Sequence, residues 1–306
     1  MDFTLKQLQI FTAVVDATSM KGAALQLGLS QPAVSMAIAD LEKNFRCQLF
    51  ERWGKKIVLN NRGKELLPMA RRMLAEAQEV CGLFDPDYVG GALWLGASST
   101  LATYMIPTIL PGFVSKNPDV KVKITSSNKK RVIDQLEQFS LDIGLVAGTC
   151  DNPDIEKHHL FKDEMTIFCA PHHPLTRKTN ITPFDLKEAQ WILREPGSWT
   201  RELLVSKLDK KLAGISVMME LNNSEAIKRV VQQGKTISCL SRLAVQRELD
   251  SGDLTSLSVP FIDLSRDFHL LIHRQKYRSP LINEFVNYCY QHVLHYQQTG
   301  SWMENP

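Results

Sequence analysis

Two short clusters of hydroxyl-bearing residues are the part of the sequence most suited to binding chemistry. Each follows a predicted strand and opens a predicted helix, so that hydroxyls and free backbone N–H groups meet at the positive end of a helix dipole. An anion is the ligand that such a site favours. The two clusters are Ser98-Ser99-Thr100 and Gly197-Ser198-Trp199-Thr200-Arg201.

Each cluster could also serve only as a helix cap, and Arg201 could be a surface residue of its helix. The clusters lie at equivalent points of a repeated strand–helix pattern, and we therefore expect them to hold one small anion from two sides. Ser127, Asn128 and Gly148 follow other predicted strands, where the ligands of open α/β sheets bind, and are expected to add polar groups.

The chain from residue 92 onward must supply the scaffold for this anion site. Short aliphatic runs alternate there with helical stretches, which is typical of βαβ units around a largely parallel sheet. Strands are predicted at 92–96, 120–125, 141–146, 165–170, 191–194, 216–221, 236–240 and 268–273. Helices are predicted at 100–116, 130–139, 201–212, 224–233 and 280–297.

A different chemistry is indicated in the first sixty residues. Three helical patterns, with a break at Gly28, predict a helix-turn-helix whose third helix begins at Ser30, with Pro32 in its first turn. The buried stripe of this helix is predicted at Val34, Ile38 and Leu41. Its outward residues are small or polar, and Gln31 and Ser35 could contact base edges in a major groove. An ordinary three-helix core is the alternative.

Positive charge is concentrated directly after this unit, although the whole chain has a net charge of only +3. Residues 46–72 contain 8 basic and 2 acidic side chains, the footprint expected of a polyanion partner. An alternating apolar run around a glycine predicts a small hairpin, or wing. Arg52, Lys55, Lys56 and Arg62 are expected to contact DNA phosphates.

Residues 62–84 read as one long helix. Its apolar residues recur at three- and four-residue steps, which is typical of a short coiled-coil seam, and Pro68 predicts a kink. We expect this helix to pair with the same helix of a second chain, so that two DNA-binding domains can contact the half-sites of a palindromic DNA sequence. Packing of the helix against its own domain is the alternative. Residues 85–91 are predicted to form a hinge.

Other function classes fit the sequence less well. The 6 cysteines form no C-x-x-C pair and metal-ligand spacing is absent, so no metal and no resident cofactor is expected. A redox pair formed by Cys150 and Cys169 remains an alternative. No catalytic elbow or nucleotide-binding fingerprint is present, and an enzyme is not expected. Without a signal sequence or a long apolar run, a cytoplasmic protein is expected and a membrane partner is not.

Several of these segments resemble the winged helix-turn-helix of LysR-type transcriptional regulators. They are Ala23-Ala24, Ser30-Gln31-Pro32-Ala33-Val34-Ser35, Leu49-Phe50-Glu51-Arg52 and Leu59-Asn60 before Gly63. The resemblance implies promoter DNA as a partner, dimers that assemble into tetramers, and an effector bound in the body. The chain departs from the family at Met36-Ala37-Ile38-Ala39-Asp40, where Arg or Lys is frequent, so base contacts are expected from Gln31 and Ser35.

Later segments, including Trp191-Ile192-Leu193-Arg194 and His273-Arg274-Gln275-Lys276, are similar to the YeiE-like branch of the family. That similarity implies a small oxyanion such as sulfite as the effector. At Gly234-Lys235-Thr236-Ile237 the chain departs from the usual Gly-Leu-Gly-Ile.

The sequence thus predicts an α+β multi-domain chain: an N-terminal winged helix-turn-helix (1–60), a dimerising linker helix and hinge (61–91), and a C-terminal α/β two-lobed periplasmic-binding-protein-like effector domain (92–306). Lobe I is expected at about 92–165 and 270–306, and lobe II at about 166–269. The predicted function is DNA-binding transcriptional regulation by a small anion held between the lobes. The alternative is a redox-sensing regulator that uses cysteines without a ligand.

Overall fold

The computed structural model of the protein describes residues 3–53, 56–82, 90–212, 214–300 and 302. The N-terminal domain is a three-helix unit followed by an antiparallel hairpin. Ser30 Oγ accepts a hydrogen bond from Ala33 N (3.3 Å), and Pro32 lies in the first turn, so the third helix begins where its capping residues predict. The elements are α1 (Leu5–Ala17), α2 (Met20–Leu27), α3 (Gln31–Phe45), β1 (Phe50–Trp53) and β2 (Lys56–Leu59).

The core of this domain forms where the helical spacing places apolar residues on one face. Leu8 and Phe11 of α1 meet Val34, Ile38 and Leu41 of α3, and all five are buried. The predicted buried stripe of the third helix is confirmed. Its remaining faces are left open at the surface.

Helix α4 (Asn61–Gly82) continues through Pro68. The apolar stripe that predicted a dimer seam is divided in the structure. Leu67 and Ala70 are buried in the core of the N-terminal domain, whereas Met69 and Val80 are 66% and 60% exposed. Packing on its own domain therefore occupies one side of the helix, and dimerisation through the exposed side stays a prediction.

The body alternates strands and helices. Its strands are β3 (Gly91–Ala97), β4 (Val120–Ser126), β5 (Ile143–Ala147), β6 (Ile155–Cys169), β7 (Gln190–Arg194), β8 (Ser216–Leu221), β9 (Thr236–Ser241), β10 (Thr255–Ser256) and β11 (Ser265–His273). Its helices are α5 (Ser99–Tyr104), α6 (Ile106–Lys116), α7 (Lys129–Glu137), α8 (Pro183–Glu188), α9 (Trp199–Leu212), α10 (Ser224–Gln233), α11 (Arg242–Asp250) and α12 (Pro280–Thr299).

These strands form one continuous sheet in the order β4-β3-β5-β11-β6-β9-β7-β8, with β10 paired to β6. The outer pairs β3/β4 and β7/β8 are parallel, and the central strands β6 and β11 are antiparallel. The sheet supports four hydrophobic clusters, two in each lobe, and the larger cluster of each lobe is its main core. Phe161 and Phe268 belong to the main core of lobe I, whereas Met165 and Leu264 belong to that of lobe II.

The chain thus passes from lobe I to lobe II between Phe161 and Met165 of β6. It returns between Leu264, just before β11, and Phe268 within β11. The pairing of β6 with β11 shifts register between Phe268 and His269, the signature of a β-bulge. The bulge lies beside the return crossing.

Several elements differ from the sequence prediction. The single helix expected at 100–116 is broken at Met105, because Pro107 has no N–H to donate to the carbonyl of Thr103 and instead occupies the first turn of a new helix. Strand β6 begins at Ile155 rather than at residue 165. Helices α8 and α11 were not predicted. Within the ranges that the structure describes, no helix is long and apolar enough to span a bilayer.

Candidate functional site

A cavity of about 230 Å³ lies in the cleft between the two lobes and brings together most of the predicted polar residues. Hydroxyls of lobe I face hydroxyls of lobe II across it. We call it the cleft cavity. Its lining consists of Ser98, Ser99, Thr100, Ser126, Ser127, Asn128, Lys129, Ala147, Arg194, Glu195, Ser198, Trp199, Thr200, Asn222 and Arg266.

Four buried polar atoms of the lining have no hydrogen-bond partner among the described residues. They are Ser98 Oγ, Ser127 Oγ, Trp199 Nε1 and Arg266 Nη2. A buried donor without an acceptor is costly, and such groups are rare in folded proteins. Four in one cavity indicate a ligand that offers several acceptor oxygens.

Arg266 is held at the cavity by lobe II. Its Nε donates to Asp163 Oδ2 (2.7 Å) and its Nη1 donates to Thr200 Oγ1 (2.9 Å). Ser241 Oγ donates to the other oxygen of Asp163 (2.9 Å). Burial raises the pKa of Asp163, while Arg266 and Ser241 act in the opposite direction. The fixed guanidinium leaves Nη2 as the donor available to a ligand.

Trp199 is positioned by two contacts from lobe I. Lys129 Nζ lies 4.0 Å from the centre of the indole ring and donates to Thr149 O (3.1 Å). Behind the ring, Gly148 has a φ of +80°, and a Cβ at this position would lie 2.5 Å from Trp199 Cε2. Only a glycine therefore lets the backbone approach the indole this closely.

The charge of the cleft cavity is positive. Arg194 pairs with Glu195 through two hydrogen bonds (2.7 and 2.9 Å), so that these two charges compensate each other. Lys129 and Arg266 are the other charged residues of the lining, and both are basic. Asp163 offsets Arg266 from behind, and the cavity is suited to an anion.

Eight of the predicted effector residues line the cavity, and Gly148, Gly197 and Arg201 do not. Gly148 acts behind Trp199, as described above. Gly197 has a φ of +84° and forms the turn before α9. The Arg201 guanidinium points elsewhere: it donates to Arg194 O (3.1 Å) and pairs with Glu220 (2.6 Å).

The three basic residues of the lining are not among the predicted effector residues. Lys129 stands beside the predicted Asn128, and this adjacency was a usable signal. Arg194 belongs to a segment that resembles the family, and nothing else in its surroundings along the chain indicates a ligand contact. Arg266 pairs with a carboxylate 103 residues away, and no local pattern identifies such a contact.

The DNA-binding residues predicted on α3 lie at its exposed amino end. Ser30, Gln31 and Pro32 are exposed, and Ser35 is half-buried. Ser30 acts as the cap. Arg62, at the start of α4, is exposed and pairs with Glu65 (3.0 Å). Of the wing residues, Lys55 lies outside the described residues, as do the side chains of Arg52 and Lys56.

The described cysteines are free thiols, and Cys150 and Cys169, the pair considered for redox sensing, form no disulfide. Cys150 and Cys169 belong to different hydrophobic clusters, on lobe I and lobe II respectively. Burial raises the pKa of the Cys169 thiol to about 12, which suppresses the reactive thiolate. Among the described residues, no three His, Cys, Asp or Glu side chains form a metal-binding group.

Comparison with known protein families gives a match for the N-terminal domain and for the body. The LysR substrate binding domain matches residues 87–294, and the bacterial regulatory helix-turn-helix protein of the lysR family matches residues 5–64. YeiE of Escherichia coli K12, described as an uncharacterized HTH-type transcriptional regulator, is 38% identical over 289 residues, which cover 94% of this chain and 98% of YeiE.

Solved structures share the fold. Full-length OxyR from Pseudomonas aeruginosa superposes with a TM-score of 0.73 at 21% identity, covering 96% of this chain and 95% of OxyR. The regulatory domain of Synechocystis CcmR, in complex with 2-PG, superposes with a TM-score of 0.60 at 27% identity, covering 66% of this chain and 96% of that domain. The chain belongs to the LysR family of DNA-binding transcriptional regulators.

Proposed function

We propose that the protein is a transcriptional regulator controlled by a small oxyanion in the cleft cavity. The observation that carries the proposal is the set of four buried, unpaired polar atoms around one positively charged cavity. An oxyanion supplies several acceptor oxygens and negative charge at once. Hydroxyls from both lobes would bind it, so occupancy would favour one closed arrangement of the lobes.

The small size of the cavity favours a compact anion, and sulfite is the first candidate because of the resemblance to the YeiE-like branch. The 2-PG bound to the regulatory domain of CcmR supports the broader idea that a body of this fold takes a small ligand. The protein would select the anion whose oxygens can accept hydrogen bonds from donors of lobe I and lobe II at the same time.

The DNA-binding part of the proposal rests on α3 and the wing. Gln31 and Ser35 would contact base edges from the amino end of α3, and Arg52, Lys55, Lys56 and Arg62 would contact phosphates. Domains at 1–60, 61–91 and 92–306 would perform these separate tasks. Each dimer would bring two DNA-binding domains to promoter DNA, and dimers would pair into tetramers.

The coupling between the sites would act through assembly. An anion changes the relative affinity of the two lobe arrangements, which alters how the dimers pack and so the spacing and bend of the bound DNA. Only a difference in affinity between the two arrangements can drive such a switch.

Thr100→Val and Thr200→Val test the cleft directly. Thr200 accepts from Arg266, and both threonines are buried at the cavity, so loss of either hydroxyl should weaken anion binding while the volume of the side chain is kept. At a sulfite concentration of 100 Kd, ligand binding stabilises a protein by about 2.7 kcal/mol, or a shift of about 5–10 °C in Tm for a domain of this size.

Both variants are expected to lose most of this shift. Thr179→Val, at an exposed threonine away from the cavity, is the matched control and should keep it. A screen of sulfite, sulfate, phosphate and 2-PG identifies the preferred anion. An undiminished shift in both cleft variants would contradict the proposed site.

A further inference from the structure

A second cavity, of about 290 Å³, lies between helix α4 and lobe I. Helix α4 forms one wall, and strand β3 and the segments that follow α7 and β11 form the others. None of its lining residues lines the cleft cavity. We call it the junction cavity, because it lies where the linker helix meets the body.

Apolar and aromatic side chains supply much of the wall. Met69 and Pro68 of α4 face the cavity together with Trp94 of β3 and Phe139. The Arg71 guanidinium lies over the Trp94 indole at 4.5 Å, so two planar groups are already stacked at this wall. Planar surfaces of this kind favour a flat ligand.

Arg71 brings one unused donor to this wall. The residue is 9% exposed, and its guanidinium donates to Asp16 Oδ1 (2.9 Å) and to Ser140 O (3.1 Å). Its Nε is buried and has no acceptor among the described residues. A hydrogen-bond acceptor on a ligand would satisfy it.

The charged residues of the junction cavity are already paired, in contrast to those of the cleft. Arg71 is bound to Asp16, and Lys276 is bound to Asp142 (2.6 Å). The two remaining charged residues, Glu65 and Arg72, pair with Arg62 (3.0 Å) and Glu76 (2.8 Å) along the helix. Asp16 also pairs with Lys123 (3.5 Å), which does not line the cavity. Every charged side chain of the lining therefore has a partner of opposite charge, and the occupant should be neutral.

We propose that the junction cavity is a second small-molecule site, which binds a neutral, flat aromatic molecule whose carbonyl oxygen accepts a hydrogen bond from Arg71 Nε. The ring packs against Trp94 and Phe139 of lobe I. The same arginine joins α1 to lobe I through Asp16 and Ser140, so the ligand lies at a contact between the DNA-binding domain and the body.

The test uses 7-methoxycoumarin, a neutral planar lactone, and measures its fluorescence anisotropy with the full-length protein. Two variants address different features of the site. Arg71→Lys keeps a positive charge for Asp16 but removes the Nε donor and the planar stack. Ala75→Leu leaves the arginine intact and fills the cavity from α4. Ala77→Leu, on the same helix but outside the lining, is the control.

We expect 7-methoxycoumarin to bind the wild-type protein and the control with equal Kd, and each site variant to raise that Kd at least tenfold. Excess sulfite should not displace it. The proposal is overturned if the wild-type protein does not bind, if Ala75→Leu binds as the wild type does, or if sulfite competes, which would place the probe in the cleft. Binding that disappears as rising protein concentration drives self-association would show that a second copy fills the cavity, and also overturns it.

Discussion

Replacement of Gly148 by alanine tests how the backbone of lobe I positions the cleft tryptophan. Two effects are expected on folding stability. The φ of +80° is a left-handed conformation, which costs an ordinary residue about 1–2 kcal/mol. In addition, the new Cβ would lie 2.5, 2.6 and 2.8 Å from three atoms of the Trp199 indole, so that the ring must move.

The movement of Trp199 has its own cost. Its cation–π contact with Lys129 at 4.0 Å is worth about 0.5–1 kcal/mol and would be lost or weakened. Gly148→Ala should therefore lower the free energy of unfolding by about 1.5–3 kcal/mol. Displacement of the Nε1 donor should also weaken anion binding about tenfold or more, since a hydrogen bond to a charged group contributes about 1.5–3 kcal/mol.

Gly197→Ala is the matched control for backbone strain. Gly197 has a nearly identical φ of +84°, but no atom lies within 4 Å of its added Cβ. Its expected loss is about 1–2 kcal/mol, without a change in ligand affinity from steric contact. Urea unfolding gives both stabilities, and thermal shift with sulfite gives the binding. Equal stability losses and equal anion affinity in the two variants would refute the proposed role of the close approach.

Two further predictions concern the wing and the cysteines. Lys55→Ala combined with Lys56→Ala should weaken binding to every DNA duplex and reduce the slope of log K against log salt by about 2. Binding titrations at several salt concentrations measure this slope. An unchanged slope would exclude phosphate contacts by these two lysines. Burial raises the pKa of the Cys169 thiol to about 12 from an ordinary 9.0, so that this thiol ionises in the unfolded chain at a lower pH than in the folded protein. The free energy of unfolding that it contributes should be complete below pH 9 and lost as pH rises towards 12. Urea unfolding at several pH values should show a shallower loss in Cys169→Ser. Promoter binding should not respond to hydrogen peroxide in the wild type, Cys150→Ser or Cys169→Ser, and a response that either substitution abolishes would favour redox sensing.

The sequence predicted the elements that have a strong local pattern. The third helix was predicted from Ser30, Pro32 and the stripe of Val34, Ile38 and Leu41, because capping and helical spacing are local properties. Strand β6 was predicted only in its second half. Its first half contains the polar run Glu156-Lys157-His158-His159, in which Lys157 and His159 are exposed and the other two are half-buried, so no continuous apolar run marks it.

In the candidate site, too, the residues that could be predicted are those marked by a local sequence pattern. Hydroxyls at strand ends could be predicted because they adjoin helix starts along the chain. The position of Arg266 depends on Asp163 and Thr200, which are distant in sequence and approach only when β6 and β11 pair. The division of the α4 stripe also depends on tertiary packing, since Ala70 and Met69 are adjacent and face different surroundings.

The uninterrupted passage of β6 and β11 through both lobes constrains any motion that a ligand could induce. Two hydrogen-bonded strands form a ribbon that resists bending far more than a pair of loops would, so the lobes should turn by torsion of this ribbon rather than swing on a free pivot. Its softest point is the bulge at Phe268 and His269, where one ladder position is lost. The amplitude of the movement would then be small, and a signal from the cleft would travel as a twist of the sheet.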